Sequence, residues 1–151
     1  MKELINREDY LLSLESDIMN RKKWKKISKL NQWLNNVPKD AGVYLLRDKR
    51  NIIYVGETGN LKKRIKDLSE TRNHSFRRTI GKKLFAHLSC YKDASSSKKF
   101  PQEIEIKLNE YIQGNIEVSY LDVNLGRKEL EEFIECRLDP DCKLNKRGKR
   151  K

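Results

Sequence analysis

The stretch AGVYLLRDKRNIIYVG, residues 41–56, decides the fold. Two short runs rich in β-branched and aromatic residues flank a polar loop at residues 48–50, a pattern that predicts a β-hairpin. With a three-residue loop, residues 47 and 51 pair, and Tyr44 lies directly opposite Tyr54 on one face of the hairpin. The other face then carries four core residues, Val43, Leu45, Ile53 and Val55.

The flanking sequence predicts helices, because apolar residues recur at spacings of three and four. These are one or two helices over 8–35 and further helices at about 61–69, from 73 or 75 onward, at 101–113 and at 127–138. Alternation at Ile116, Val118 and Tyr120 predicts one more strand. The expected fold is therefore α/β of the α+β kind, a small mixed or antiparallel three-stranded sheet flanked by helices.

The chain of 151 residues suits a single domain with an extension. Residues 1–37 are expected to form an N-terminal helical extension that ends before Pro38, because the residue before a proline is biased away from helix. Residues 38–145 form the main domain. Residues 146–151 form a basic tail that we expect to be disordered.

Composition excludes several classes of protein. No apolar run approaches the roughly 18 residues of a membrane-spanning helix, and the opening MKELINREDY lacks the apolar core of an export signal. The three cysteines, Cys90, Cys136 and Cys142, form no C-x-x-C pair, which argues against a structural zinc site. We therefore expect a cytoplasmic protein without a membrane partner.

The positive charge is concentrated in the middle of the chain. The formal net charge is +12, and residues 41–100 alone contribute +10, from 15 basic and 5 acidic side chains. Clustered cations favour a polyanionic partner, because binding releases counterions from phosphates. A solvated surface and, as a weaker option, a membrane surface are the alternatives.

A cationic helix follows the two tyrosines of the hairpin. Gly56 lets the backbone leave the strand without a side chain in the way, and Arg64 comes ten residues after Tyr54. Tyrosine pairs are also common in strands as packing residues. Two phenols that face a basic helix, however, favour a site that handles phosphate.

These residues resemble the motifs of the GIY-YIG nuclease family. Gly42-Val43-Tyr44 is followed after nine residues by Tyr54-Val55-Gly56, and then by Arg64 at the family's spacing. The C-terminal part is similar too, with a glutamate-bearing helix, Pro140 and Asn145. The resemblance covers residues 38–145 and implies that family's nuclease fold and a phosphodiester hydrolase.

Two positions depart from the family pattern. Glu57 stands where repair-type members often have lysine, so either another group or a metal-bound water must assist the neighbouring tyrosine. Asn145 follows Pro140 by five residues, where about three are usual, which puts the role of Asn145 in question.

Glu131 is the expected metal ligand among the glutamates of the last helix. At 100° per residue, Glu131 lies about 85° from the centre of the apolar stripe, at its border, whereas Glu132 lies near 175° and faces solvent. The offset of nine residues to Pro140 also selects Glu131 on family resemblance. A single carboxylate suits Mg²⁺, or Mn²⁺, completed by waters and substrate oxygens.

The resemblance implies a role for each catalytic residue. One tyrosine of the pair, Tyr44 or Tyr54, activates water, and the sequence leaves open which one. Arg64 donates paired hydrogen bonds to the scissile phosphate, a geometry that lysine does not reproduce. His74 touches a phosphate or an active-site tyrosine, or else only caps a helix. His87 is expected to be structural.

Further cations are expected to contact double-stranded DNA: Lys62, Lys63, Lys66, Arg72, Arg77, Arg78, Lys82 and Lys83. The predicted function is a metal-dependent DNA endonuclease of restriction, repair or mobile-element type. A homodimer is expected if both strands are cut. The alternative is a catalytically silent nucleic-acid-binding protein on the same fold.

Overall fold

The computed structural model describes residues 6–145. Within that range it has six α-helices and four strands. The helices are α1 (Arg7–Met19), α2 (Leu30–Trp33), α3 (Leu61–Lys66), α4 (Ser75–Phe85), α5 (Gln102–Asn115) and α6 (Arg127–Glu135). The strands are β1 (Lys25–Lys26), β2 (Gly42–Asp48), β3 (Asn51–Thr58) and β4 (Ile116–Asp122). The α+β class is confirmed.

The sheet is antiparallel throughout, with the strand order β1-β4-β2-β3. It has four strands rather than the three that the sequence predicts. The additional strand, β1, is two residues long and pairs with β4, with Lys25 opposite Val118. It comes from the stretch assigned to the N-terminal extension, so that stretch completes one edge of the sheet.

The N-terminal stretch is less helical than its apolar spacing suggests. Helix α1 ends at Met19, and the side chain of the next residue, Asn20, caps a short 3₁₀ turn at Arg21–Lys23. After β1, two more 3₁₀ turns, Ile27–Lys29 and Leu34–Asn36, flank the four-residue α2. No helix within residues 6–145 is long and apolar enough to cross a membrane. The predicted tail 146–151 lies outside the described residues.

The register of the hairpin differs from the predicted one. The turn contains two residues, Lys49 and Arg50, with Lys49 at a φ of 58°, and Asp48 pairs with Asn51. A bulge then shifts the register between Leu46 and Arg47. As a result Tyr44 lies opposite Gly56, and Tyr54 lies opposite Leu46. The prediction that the two tyrosines face each other directly is wrong, because they lie on a diagonal of the same face.

The sheet separates two apolar clusters. Helices α1 and α6 cover one face, where Val43, Leu45 and Val55 meet Leu11 and Leu130. The other face packs against α3, α4 and α5, through the residues Tyr44, Leu46, Ile65, Phe76 and Leu108. Ile53 belongs to this second cluster, opposite to its prediction, because the bulge turns its side chain over. The tyrosines therefore lie on the face that carries the basic helices.

Candidate active site

The centre of the candidate site is the tyrosine pair on β2 and β3. The ring centroids of Tyr44 and Tyr54 are 6.1 Å apart, and the rings are inclined by 31°. Tyr44 is fully buried, with 1% of its surface exposed, whereas Tyr54 is partly exposed. Tyr54 also packs edge-on against Phe76 of α4, at 5.6 Å between centroids. Tyr54 is thus the phenol of the pair that solvent can reach.

The two glycines of the motif are required by packing. A Cβ at Gly56 would lie 2.4 Å from the hydroxyl oxygen of Tyr44 and would displace that ring. A Cβ at Gly42 would lie 2.2 Å from the carbonyl oxygen of Leu121 on β4. The glycines therefore permit the close contacts that seat Tyr44 within the sheet.

His74 joins the tyrosines to helix α4. It is buried, and its Nε2 lies 2.8 Å from the hydroxyl oxygen of Tyr44. As the N-cap of α4, it accepts a hydrogen bond at Nδ1 from the backbone N–H of Phe76, at 3.1 Å. Both roles considered from the sequence, helix cap and tyrosine contact, are present in the same side chain.

The cap determines which nitrogen of His74 carries the proton. Because Nδ1 accepts from the N–H of Phe76, Nε2 carries the hydrogen and donates it to Tyr44. Burial, followed by the positive charges of Arg64, Arg78 and Arg77, lowers the pKa of His74 to about 2. The imidazole is therefore neutral and acts as a hydrogen-bond donor to the phenol.

Burial also determines the protonation state of Tyr44. It raises the pKa of this phenol well above its usual value, and the neighbouring Tyr54 raises it further. The guanidinium of Arg64 opposes the rise. Tyr44 is therefore a neutral phenol at pH 7, with its oxygen fixed by His74.

Arg64 lies at the same end of the sheet, on helix α3. The side chain of Asn60 caps α3 by accepting from the N–H of Lys63, at 3.1 Å. The Nη1 of Arg64 donates to the carbonyl oxygen of Asn73, at 2.7 Å, and lies 3.6 Å from the carboxylate of Asp67. Asn73 directly precedes His74, so Arg64 is held beside the tyrosine pair by the backbone that also carries the histidine.

Glu131 lies on α6, which packs against β2 and β3. It is buried, with 9% of its surface exposed, and so it lies further inside the protein than the predicted border position. Glu132 is exposed, as the helical angle predicts. Glu135, one turn beyond Glu131, is also buried, and the Nζ of Lys143 donates to it at 3.0 Å.

Glu131 offers a single carboxylate to a hard divalent cation. Within residues 6–145, no group of three or more His, Cys, Asp or Glu side chains could enclose a metal ion. A single carboxylate that depends on waters and substrate oxygens is a common arrangement for Mg²⁺. Glu131 is the residue that would hold such an ion.

Asn145 and Glu57 have structural partners. The amide of Asn145 bonds twice to the backbone of Val55, accepting from its N–H at 2.9 Å and donating to its carbonyl at 2.7 Å. Glu57 accepts a hydrogen bond from Nε of Arg127 at 2.9 Å, which ties β3 to the start of α6. Asn145 thus holds the free edge of the strand that carries Tyr54.

The predicted DNA-contacting cations divide into three groups. Five are exposed on α3, α4 and the loop between them: Lys63, Lys66, Arg72, Lys82 and Lys83. Lys62 and Arg78 are partly exposed. Arg72 is also paired with Glu70 at 2.9 Å, and this hydrogen bond lowers the pKa of Glu70 to about 2.

Arg77 forms the third group, and the structure does not support its predicted role in binding DNA. Only 2% of its surface is exposed, and its guanidinium bonds to Thr71, Leu68, Glu105 and Asn109. A phosphate cannot reach it without replacing those partners.

The comparison with protein families agrees with this geometry. The model of the GIY-YIG catalytic domain matches residues 24–138. The chain belongs to the GIY-YIG nuclease family. As a GIY-YIG nuclease it is an enzyme, and its family motif residues Tyr44, Tyr54 and Arg64 lie together at one end of the sheet.

Two solved structures are similar to this GIY-YIG chain. Both are point mutants of the GIY-YIG N-terminal endonuclease domain of UvrC from Thermotoga maritima, bound to the catalytic divalent cation. They are 17% and 18% identical, each with a TM-score of 0.43, and the alignments cover 79% of this chain and 97% of those chains. No curated protein matches the chain.

Sequence reasoning missed several buried or half-buried contacts of this GIY-YIG nuclease. Thr71 and Glu105 bond to Arg77 in the interior, and Lys143 bonds to Glu135. Glu105 gives a weak signal, because it adjoins Ile104 on the apolar face of its predicted helix. Thr71 gives none, because a threonine in a polar loop is unremarkable.

Proposed function

We propose that this GIY-YIG nuclease is a metal-dependent endonuclease that hydrolyses phosphodiester bonds in double-stranded DNA. The observation that carries the proposal is the contact among Tyr44, His74 and Tyr54, beside Arg64. Such a cluster places phenol and guanidinium donors around one point, which suits a tetrahedral phosphate and its pentacoordinate transition state.

Each side chain has a separate task in this proposal. Tyr44 orients the attacking water. His74 fixes the phenol oxygen of Tyr44 by donating a hydrogen bond to it, so the phenol proton of Tyr44 points away from the imidazole. Tyr54, which solvent reaches, contacts the phosphate of the incoming strand. Arg64 donates to a non-bridging phosphate oxygen with the part of its guanidinium that Asn73 does not use.

The role of the metal depends on Glu131. A divalent cation held by this carboxylate, Mg²⁺ or Mn²⁺, would supply positive charge beside the phosphate during cleavage. Because the pKa of Tyr44 is raised, little of the phenolate that could accept a proton from water is present at neutral pH. The need for such a cation follows from that scarcity of phenolate.

The DNA would lie across the exposed cations of α3 and α4. Their charge supports a polyanion, and the segment 41–100 that contains them carries the excess of +10. We propose that residues 1–37 extend the nuclease domain, with β1 adding to the edge of its sheet, and that the protein is cytoplasmic. Restriction, repair and mobile-element roles remain alternatives. A homodimer is expected if the enzyme cuts both strands.

The test is incubation of the purified protein with supercoiled plasmid in Mg²⁺, in Mn²⁺ and in EDTA. We expect nicked or linear DNA with either metal and none in EDTA. Nicked product alone would indicate a single-strand cutter, and a linear product would indicate two active sites or two passes. Tight DNA binding without cleavage under every condition would favour the silent binding protein instead.

A further inference from the structure

The loop between α3 and α4 is held by arginines at four of its backbone carbonyls. This loop, residues 68–73, leads directly into His74. Arg77 donates to the carbonyl of Leu68 at 3.2 Å, and Arg78 donates to the carbonyls of Thr71 and Arg72 at 2.9 Å each. Arg64 donates to the carbonyl of Asn73 at 2.7 Å. Few side-chain donors other than arginine could bridge so many acceptors.

Arg77 is the interior member of this set. Its Nε donates to the hydroxyl of Thr71 at 3.1 Å, in the middle of the loop. Its Nη2 donates to the carboxylate of Glu105 at 3.1 Å and to the amide oxygen of Asn109 at 2.7 Å. The guanidinium thus connects the loop to helix α5, which carries no residue of the candidate site.

Glu105 completes the connection from the side of α5. Its carboxylate accepts from the hydroxyl of Thr71 at 2.8 Å and from the backbone N–H of Phe100 at 3.0 Å, in addition to Arg77. Thr71 is therefore both donor and acceptor in a closed triangle with Glu105 and Arg77. A buried ion pair of this kind is sensitive to the loss of either partner, since the other charge is then left without compensation.

The triangle is close in sequence to His74, the hydrogen-bond partner of Tyr44. Thr71 lies three residues before His74, and the backbone N–H of Arg77 bonds to the carbonyl of His74 at 3.2 Å. We propose that Arg77, Thr71 and Glu105 are positioning residues that fix the loop 68–73 and so hold Nε2 of His74 on the hydroxyl of Tyr44. The catalytic consequence rests on the proposed function, whereas the effect on His74 does not.

Arg77 and its partners could have two other roles, phosphate binding or stabilisation of the fold alone. A phosphate-binding role for Arg77 conflicts with its burial and its four partners. A purely structural role would lower stability but leave the geometry at His74 unchanged in the folded fraction. The distinguishing measurement must therefore report on His74 itself.

Substitutions at Thr71 separate the roles most cleanly. Thr71→Val keeps the shape and removes the hydroxyl, and Thr71→Ser keeps the hydroxyl as the matched rescue. Arg77→Lys keeps the buried charge but loses the planar fork. Glu105→Gln is compared with Glu110→Gln, an exposed position on the same helix.

The first readout is the NMR signal of the His74 ring nitrogens from pH 5 to 8. The groups that face this ring are Tyr44, Tyr54, Arg64, Arg77 and Arg78. In the wild type, in Thr71→Ser and in Glu110→Gln, we expect one fixed tautomer with no titration. In Thr71→Val, Arg77→Lys and Glu105→Gln, we expect exchange between tautomers and titration within that range.

The second readout is steady-state DNA cleavage. We expect kcat to fall on the order of 10-fold in Thr71→Val, with KM within about twofold, and to recover in Thr71→Ser. Unchanged His74 signals in folded Thr71→Val and Arg77→Lys would overturn the proposal, even if both proteins melt at lower temperature. A wild type that cuts no DNA would overturn the proposed function, and the NMR comparison would still decide the positioning role.

Discussion

Nε2 of His74 donates a hydrogen bond of 2.8 Å to the hydroxyl of Tyr44 and so joins the N-cap of helix α4 to strand β2. The direction of the bond is fixed from the other side of the ring, because Nδ1 is occupied by the N–H of Phe76. The imidazole therefore cannot take the proton of Tyr44 without losing its cap. His74 orients the phenol and does not act as its base.

A neutral His74 makes the stability of the fold depend on pH. The folded pKa of about 2 lies below the unfolded value of about 6.5, so the unfolded chain takes up this proton first as the pH falls. The stability from His74 is complete above pH 6.5 and is lost progressively below it. We expect wild type to lose about 1 kcal/mol more than His74→Gln between pH 6.5 and 5.5.

Urea unfolding at the two pH values measures that difference. His87 and all carboxylates are present in both proteins, so their contributions cancel. Equal pH dependence in wild type and His74→Gln would show that His74 is not held neutral in the folded state.

Arg64→Lys tests the need for a planar guanidinium. The arginine uses Nη1 on the carbonyl of Asn73 and keeps its other donors for a phosphate. A lysine has the charge and three N–H donors on one nitrogen, but it lacks the planar fork that can face the carbonyl of Asn73 and a phosphate at the same time. We expect kcat to fall on the order of 10²-fold, as for loss of one transition-state donor.

The matched variant for this test is Lys63→Ala, on the exposed side of the same helix. It should weaken DNA binding but cleave at a near-normal rate when DNA is saturating at low salt. Near-wild-type turnover in Arg64→Lys would remove the phosphate-binding role of the guanidinium.

Glu131→Gln tests the metal ligand with the smallest change in shape. The substitution is preferable to alanine because the side chain is buried. We expect cleavage to be abolished while the affinity for DNA, measured by fluorescence anisotropy, changes less than about threefold, since the carboxylate serves the metal and not the DNA. Calorimetric titration with Mn²⁺ should show weaker binding of the ion.

Glu132→Gln, at the exposed neighbouring position, is the control for charge on α6. It should cleave like wild type. Loss of activity in Glu132→Gln with normal activity in Glu131→Gln would mean that the assignment within the helix is wrong.

Asn145→Ala removes both hydrogen bonds to the backbone of Val55. At about 0.5–1.5 kcal/mol for each bond, we expect the free energy of unfolding to fall by about 1–3 kcal/mol. Amide hydrogen exchange at Val55 should accelerate relative to Val43, which lies on the inner strand β2. Unchanged exchange at Val55 would show that the segment around Asn145 does not hold the edge of the sheet.

Local patterns predicted the parts of the fold that depend on them. Two β-rich runs around a polar loop give the hairpin, and the cap Asn60 and the apolar spacing from Phe76 give α3 and α4. Strand β1 escaped prediction because two lysines have no strand pattern of their own. Their pairing with Val118 and Glu117 depends on β4, which lies far along the chain.

The site was predictable where it depends on motif spacing and not where it depends on packing. The two-residue turn and the bulge at Ile53 together move Tyr54 from a direct to a diagonal partner of Tyr44, and one extra residue in a strand leaves no mark in composition. The sequence places Arg77 among basic neighbours, which predicted a surface cation. Its burial follows from Glu105, some 28 residues further along the chain, which local sequence does not reveal.

Tyr44→Phe tests most directly the claim that the tyrosine–histidine–arginine cluster hydrolyses DNA. The substitution keeps the buried ring and removes the hydroxyl that His74 orients, and Tyr120→Phe, at the ring stacked on Trp33, is the control. The measurement is single-turnover cleavage of a labelled duplex in Mg²⁺ or Mn²⁺, with DNA affinity measured in parallel. We predict a loss on the order of 10²-fold or more in the cleavage rate of Tyr44→Phe, with unchanged affinity and a normal rate in Tyr120→Phe. Cleavage by Tyr44→Phe at the wild-type rate would contradict the account.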